Sequence, residues 1–111
     1  MTNKKNEFQK ARAFYIHDDL FDFFKKKSKE LEISETSLIR YTLLTLFRGK
    51  QKKWSNFKID HGGPKTLISV RMSDELYDYY KMIADEKNLN VSKIFRVALN
   101  QNAEKIIEKL A

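Results

Sequence analysis

From Lys65 to Met72 the chain alternates, with Ile68, Val70 and Met72 on one side and Leu67, Ser69 and Arg71 on the other. Period-two patterning of this kind predicts a short, half-buried β-strand. The breaker Gly62-Gly63-Pro64 precedes it. At Ser73 the period lengthens. Ser73 offers an N-cap hydroxyl, Asp74 and Glu75 put negative charge in a first turn, and Leu76, Tyr79, Tyr80 and Ile83 recur at helical spacing, which predicts a helix over 73–87. Asn88 and Asn90 flank Leu89 as a turn and a new N-cap. Ile94, Phe95, Ala98, Leu99, Ile106 and Leu110 then mark a second helix.

The same pattern occurs earlier in the chain at an offset of 56 positions, as from Leu20 to Leu76. With 16–43 aligned on 72–99, Asp18, Leu20, Asp22, Lys25, Glu30, Arg40 and Leu43 meet Asp74, Leu76, Asp78, Lys81, Glu86, Arg96 and Leu99. Phe21, Phe23 and Phe24 answer Tyr77, Tyr79 and Tyr80, and Thr36 answers Ser92. Copy 1 therefore predicts a strand with Arg12, Phe14 and Ile16 inward, then helices over 18–31 and 34–47. An ungapped register of this length identifies two copies of one strand–helix–helix unit.

A lone strand leaves backbone groups unpaired on both edges, so the two strands are expected to pair antiparallel. The expected fold is α+β and mostly helical: a two-stranded ribbon backed by four helices in one intertwined core. The wide apolar arc of Leu20, Phe21, Phe23 and Phe24 suits a helix that packs on more than one side. At 111 residues there is room for one compact domain, or for two half-domains that complete each other. The division reads as a flexible basic arm over 1–9, copy 1 over 10–48, a basic linker over 49–65 and copy 2 over 66–111.

Charge adds a direction. The net charge is +7, and it is uneven. Positions 48–65 carry Arg48, Lys50, Lys52, Lys53, Lys58 and Lys65 against Asp60, and the first twelve residues carry Lys4, Lys5, Lys10 and Arg12 against Glu7. The helices are left near neutral. Cationic arms and connectors suit a polyanion, with a nucleic-acid backbone first and an anionic membrane surface second; solubility alone is the plainer account. There are no cysteines, which excludes disulfides and thiolate metal sites and fits a reducing, cytoplasmic compartment. The polar start has no signal-peptide core, and the apolar run over 38–47 is interrupted by Arg40 and far shorter than a bilayer span.

Two segments carry a family resemblance. Ile68-Ser69-Val70-Arg71-Met72-Ser73-Asp74-Glu75-Leu76 resembles the strand and first-helix start of the ribbon-helix-helix DNA-binding proteins, the Arc and MetJ type. Leu89-Asn90-Val91-Ser92-Lys93-Ile94-Phe95-Arg96 resembles the family's second-helix start, as does Ile33-Ser34-Glu35-Thr36-Ser37-Leu38-Ile39-Arg40 in copy 1. The two matches cover about 80 of the 111 residues. Most members are homodimers, so two units on one chain resemble the less common tandem form, in which one polypeptide supplies the equivalent of a dimer.

The resemblance implies double-stranded DNA as partner and a ribbon inserted in the major groove, where outward side chains reach base edges. Those positions are Leu67, Ser69 and Arg71, with Ala11, Ala13 and Tyr15 from copy 1. Arg71 matters most, since a guanidinium bonds guanine O6 and N7 together. Copy 1 departs from the polar or basic pattern usual there; Ala11 and Ala13 either touch thymine methyls or simply avoid the phosphates. Phosphate contacts are expected at the second-helix starts, from Ser34, Glu35 and Thr36 and from Asn90, Val91, Ser92 and Lys93, unless Ser34 and Asn90 act only as caps. Lys4, Lys5, Lys10, Lys50, Lys52, Lys53 and Lys58 are expected on flanking phosphates. Trp54 anchors the connector on the core or stacks on a base. Arg40 and Arg96, identical in the two copies, are expected to ion-pair with the first helices rather than to contact DNA.

Catalysis finds no motif. The only histidines are His17 and His61, and His17-Asp18-Asp19 at a helix start does not converge on a metal. No enzyme activity, cofactor or metal is expected. Compatible roles are a small transcriptional regulator, a plasmid relaxosome or conjugation accessory protein with a relaxase as partner, or a partition protein, with self-association on tandem sites through the apolar residues near Leu110. The alternative is an antitoxin-like or adaptor interaction module that binds nucleic acid only nonspecifically.

Overall fold

The computed structural model describes residues 9–49 and 62–110. The chain runs β1 (Lys10–His17), α1 (Asp18–Leu31), α2 (Glu35–Arg48), β2 (Lys65–Met72), α3 (Asp74–Lys87) and α4 (Val91–Glu108). The fold is α+β, four helices on one two-stranded antiparallel sheet. The basic arm over 1–8 and the connector over 50–61, with Lys4, Lys5, Lys50, Lys52, Lys53, Lys58 and Trp54, lie outside the described residues.

Each helix begins and ends where local chemistry dictates. Ser34, Ser73 and Asn90 stand extended at the N-caps of α2, α3 and α4, and their side-chain oxygens accept from the backbone N–H of Ser37, Leu76 and Lys93. His17 occupies the N-cap of α1 without a side-chain cap bond. Instead the Asp18 N–H donates to the Pro64 carbonyl at 3.0 Å, prolonging the ribbon ladder by one step. The first helices end alike. Glu32 and Asn88, 56 positions apart, are left-handed at φ 58° and 57°. The following N–H groups, of Ile33 and Leu89, donate back to the Ser28 and Ala84 carbonyls, which releases the chain into the next helix. A left-handed residue with a Cβ is strained, and asparagine bears this better than glutamate. Glu32→Asn is therefore expected to raise stability by roughly 0.5–1 kcal/mol, measured by urea denaturation.

The register is symmetric about Ala13↔Ser69, which are themselves one repeat offset apart. Under that offset Ala11↔Arg71 maps onto Tyr15↔Leu67, Arg12↔Val70 onto Phe14↔Ile68, and Lys10↔Met72 onto Ile16↔Thr66. Inward side chains Phe14, Ile16, Ile68, Val70 and Met72 are buried, as the alternation predicts. The second helices α2 and α4 pack on each other, and each also packs on the other copy's strand, α2 on β2 and α4 on β1. One core results, so neither copy holds a hydrophobic interior of its own.

At its centre Phe14 of β1 lies 4.6 Å from Phe95 of α4, between ring centroids, and Tyr80 of α3 lies 5.2 Å from Phe95. The fully buried Tyr80 hydroxyl donates to the Leu43 carbonyl of α2 at 2.7 Å, whereas copy 1 has the hydroxyl-free Phe24 at the equivalent position. Burial, with a smaller contribution from Tyr79, holds the Tyr80 phenol well above its ordinary value. The native state thus keeps a proton that the unfolded chain releases above about pH 10. The associated stability is intact below pH 10 and declines as pH rises past it. Tyr80→Phe is expected to cost about 1 kcal/mol at pH 7 and to flatten the alkaline fall in a denaturation series over pH 9–11.

Among the described residues no helix is long and apolar enough to cross a membrane.

Candidate nucleic-acid interface

Because the two strands twist on a shared core, their inward side chains are covered and their outward ones are not. The outer face of the ribbon carries three cross-strand pairs: Ala11 with Arg71 at one end, Ala13 with Ser69 at the centre, and Tyr15 with Leu67 at the other. All six are exposed. Tyr15 and Leu67 keep 50% and 55% of their surface, a level no core role requires. Among the described residues no hydrogen bond or ion pair holds the Arg71 guanidinium. The six positions expected to face a ligand therefore form one contiguous strip, which spans about 13 Å from residue 67 to residue 71.

The edges of this strip are held by Arg40 and Arg96, which the sequence leads one to expect as ion-pair partners of the first helices. In a two-stranded sheet alternate residues turn their carbonyls away from the partner strand, where nothing in the sheet can donate to them. Arg40 of α2 donates from Nη1 to the Arg71 carbonyl, and Arg96 of α4 donates from Nη1 to the Tyr15 carbonyl, each at 3.4 Å. The expected Arg40 ion pair with α1 is absent among the described residues; the guanidinium reaches across to the other copy's strand instead. These bonds are reciprocal, since residues 15 and 71 are one repeat offset apart. At 3.4 Å they are long, and their value lies in orienting the strand on the helices. The identity of Arg40 and Arg96 within otherwise apolar stretches was the available signal.

A second reciprocal pair fixes the strand ends. The Thr66 hydroxyl donates to Asp18 Oδ1 at 2.7 Å, and at the equivalent place Lys10 Nζ lies 3.7 Å from Asp74 Oδ1. Lys10 is exposed and remains within reach of solvent, but its charge is shared with a carboxylate, which weakens the expectation that it serves a phosphate alone. Arg12 also meets Asp74 Oδ1, at 3.2 Å, and its guanidinium carbon sits 3.9 Å from the Tyr77 ring centroid. Its Nε is buried without a hydrogen-bond partner among the described residues, so the aromatic face is the compensation available to that side of the charge. The inward position of Arg12 agrees with the strand alternation; its half-burial under Tyr77 was not legible from it.

Ser34 and Asn90 are exposed and both act as caps, with the Ser34 hydroxyl also donating to Ser37 Oγ at 2.7 Å. Thr36 is exposed, whereas Glu35, Val91, Ser92 and Lys93 are half-buried in the first turns of α2 and α4. Arg40 lies six residues beyond Ser34, about 9 Å along the axis, so the start of α2 and the ribbon edge at Arg71 are neighbours.

An open cleft of about 210 Å³ lined by Asp19, Leu20, Phe23, Asn100 and Glu104 lies at the seam of α1 and α4. Its two carboxylates disfavour a polyanion. His17 lies beneath the end of the ribbon, 1% exposed, with Nδ1 3.2 Å from Asn100 Nδ2. Among the described residues no group of three His, Asp or Glu side chains converges to hold a metal ion.

Comparison with protein-family models, with curated proteins and with solved structures finds no match for this chain.

Proposed function

We propose that this chain is a sequence-specific double-stranded DNA-binding protein of the tandem ribbon-helix-helix type, whose two units form a single-chain equivalent of a dimer and lay their shared ribbon in the major groove. The observation that carries this reading is the symmetric register about Ala13↔Ser69, which leaves an exposed strip ending in the Arg71 guanidinium, unpaired among the described residues. A two-stranded ribbon fits the width of the major groove, and a guanidinium there takes both acceptors of guanine. The net charge of +7 supplies the attraction to phosphate. A protein of this kind serves as a small transcriptional regulator or as an accessory protein at a plasmid transfer origin.

Fluorescence anisotropy against duplexes from around the protein's own gene, over a series of salt concentrations, tests it. Arg71→Ala is expected to lose about 1–3 kcal/mol of specific binding while the salt-steep nonspecific component persists. Unchanged specific binding would move base reading to the arm or the connector, and no binding to any duplex would leave an interaction module as the function. The exposed apolar pair Tyr15 and Leu67 is the observation that favours such a module.

A further inference from the structure

The ribbon's backbone is symmetric under the repeat, and its outer face is not. Under the 56-residue offset the inward positions Phe14 and Ile16 meet Val70 and Met72, apolar for apolar, and Arg12, half-buried under Tyr77, stands where copy 2 has Ile68. Outward, every position changes: Arg71 stands where copy 1 has Tyr15, Ser69 where it has Ala13, and Leu67 where it has Ala11. Cross-strand pairing then sorts these chemistries by end. Arg71 faces Ala11, a small residue that leaves the guanidinium room to extend, while Tyr15 and Leu67 stand together as an exposed apolar pair.

From this we infer that the DNA sequence recognised is not a palindrome: a guanine is read at the Arg71 end, and thymine 5-methyl groups are read at the Tyr15 and Leu67 end, about four base pairs away. The inference rests on the ribbon entering the major groove. Four residues of strand span about 13 Å and base pairs rise about 3.4 Å, so the two ends address separate positions. A palindrome offers both ends the same base edges. Set against guanine O6 and N7, Tyr15 and Leu67 offer one hydroxyl donor between them and strip water from a second acceptor that nothing replaces, whereas the thymine methyl is the one apolar group in the major groove. At the centre, Ser69 over Ala13 leaves one hydroxyl for a single base pair, so discrimination concentrates at the ends.

The test is selection of binding sites from a random duplex library by the full chain, followed by base-analogue substitution in the enriched site. An asymmetric consensus is expected, with guanine at one end and thymine at the other. Replacing that guanine with 7-deazaguanine is expected to weaken wild type about ten-fold and to leave Arg71→Ala unaffected. Replacing the thymines with uracil, which removes only the methyl, is expected to cost roughly three- to four-fold per contacted base in wild type, less in Leu67→Ala, and nothing when Tyr15→Ala is added to it. All of these positions are exposed, so far-ultraviolet circular dichroism of each variant should match wild type. A palindromic consensus, or uracil tolerated at every thymine, overturns the asymmetric reading while leaving specific DNA binding intact. Enrichment of no sequence overturns the DNA reading itself.

Discussion

Residues 62–110 prepared without the rest of the chain are expected to show no cooperative unfolding as a monomer. This half holds β2, α3 and α4; β2 packs on β1 and α2 of the other half and α4 on α2 and β1, while α3 packs on α4 and, less extensively, on α2. Without β1 the ribbon has an empty edge, and Phe95 loses Phe14, its ring neighbour at 4.6 Å. Without α2 the Tyr80 hydroxyl loses the Leu43 carbonyl, and Tyr79 loses Phe47, 5.1 Å away between centroids. A unit of this size buries too small a fraction of its surface to offset the entropy of ordering it. The measurement is urea denaturation followed by circular dichroism at several protein concentrations. A sharp transition independent of concentration would show that copy 2 folds alone and would sink the account of a shared core.

Phe95→Ala is expected to destabilise the whole chain by about 3–5 kcal/mol, a large share of the 5–15 kcal/mol typical of a domain. The ring is 1% exposed and touches three others, Phe14, Tyr77 and Tyr80, so its removal opens a cavity where β1, α3 and α4 meet. Those rings are held by opposed backbones and cannot all close the gap. A fall in melting temperature of roughly 12 °C or more should accompany the loss. Ile39 is the repeat equivalent of Phe95 and is also fully buried, so Ile39→Ala provides the internal comparison, at about 2–5 kcal/mol. A cost below about 1 kcal/mol for Phe95→Ala would mean that the aromatic cluster does not organise the core.

The strip of candidate reading residues was legible because strand alternation is a local property. Leu67, Ser69 and Arg71 must share a face whatever the partner, and so must Ala11, Ala13 and Tyr15. That these two sets form one face, and which residue stands opposite which, depends on pairing. The roles of Arg40 and Arg96 were hidden for the same reason: each donates to a carbonyl 31 or 81 positions away, and sequence spacing within a helix points only to the neighbouring turns. His17 was read as one residue of a helix start, yet it is buried against Asn100, 83 positions on.

The amino-acid sequence by itself determined the elements, their order, their caps and their inward faces, because capping chemistry and the periods of strand and helix act over a few neighbouring residues. It also determined that a second copy exists at a constant offset. Tertiary structure alone decided the register about Ala13↔Ser69, the crossing of each second helix onto the other copy's strand, and the sorting of charge to one end of the ribbon and apolar surface to the other. Those outcomes follow from filling one core with two unequal halves. In this register Phe14 of β1 reaches Phe95, which already meets Tyr80 within copy 2, and the outward side chains are carried to their places with the strands.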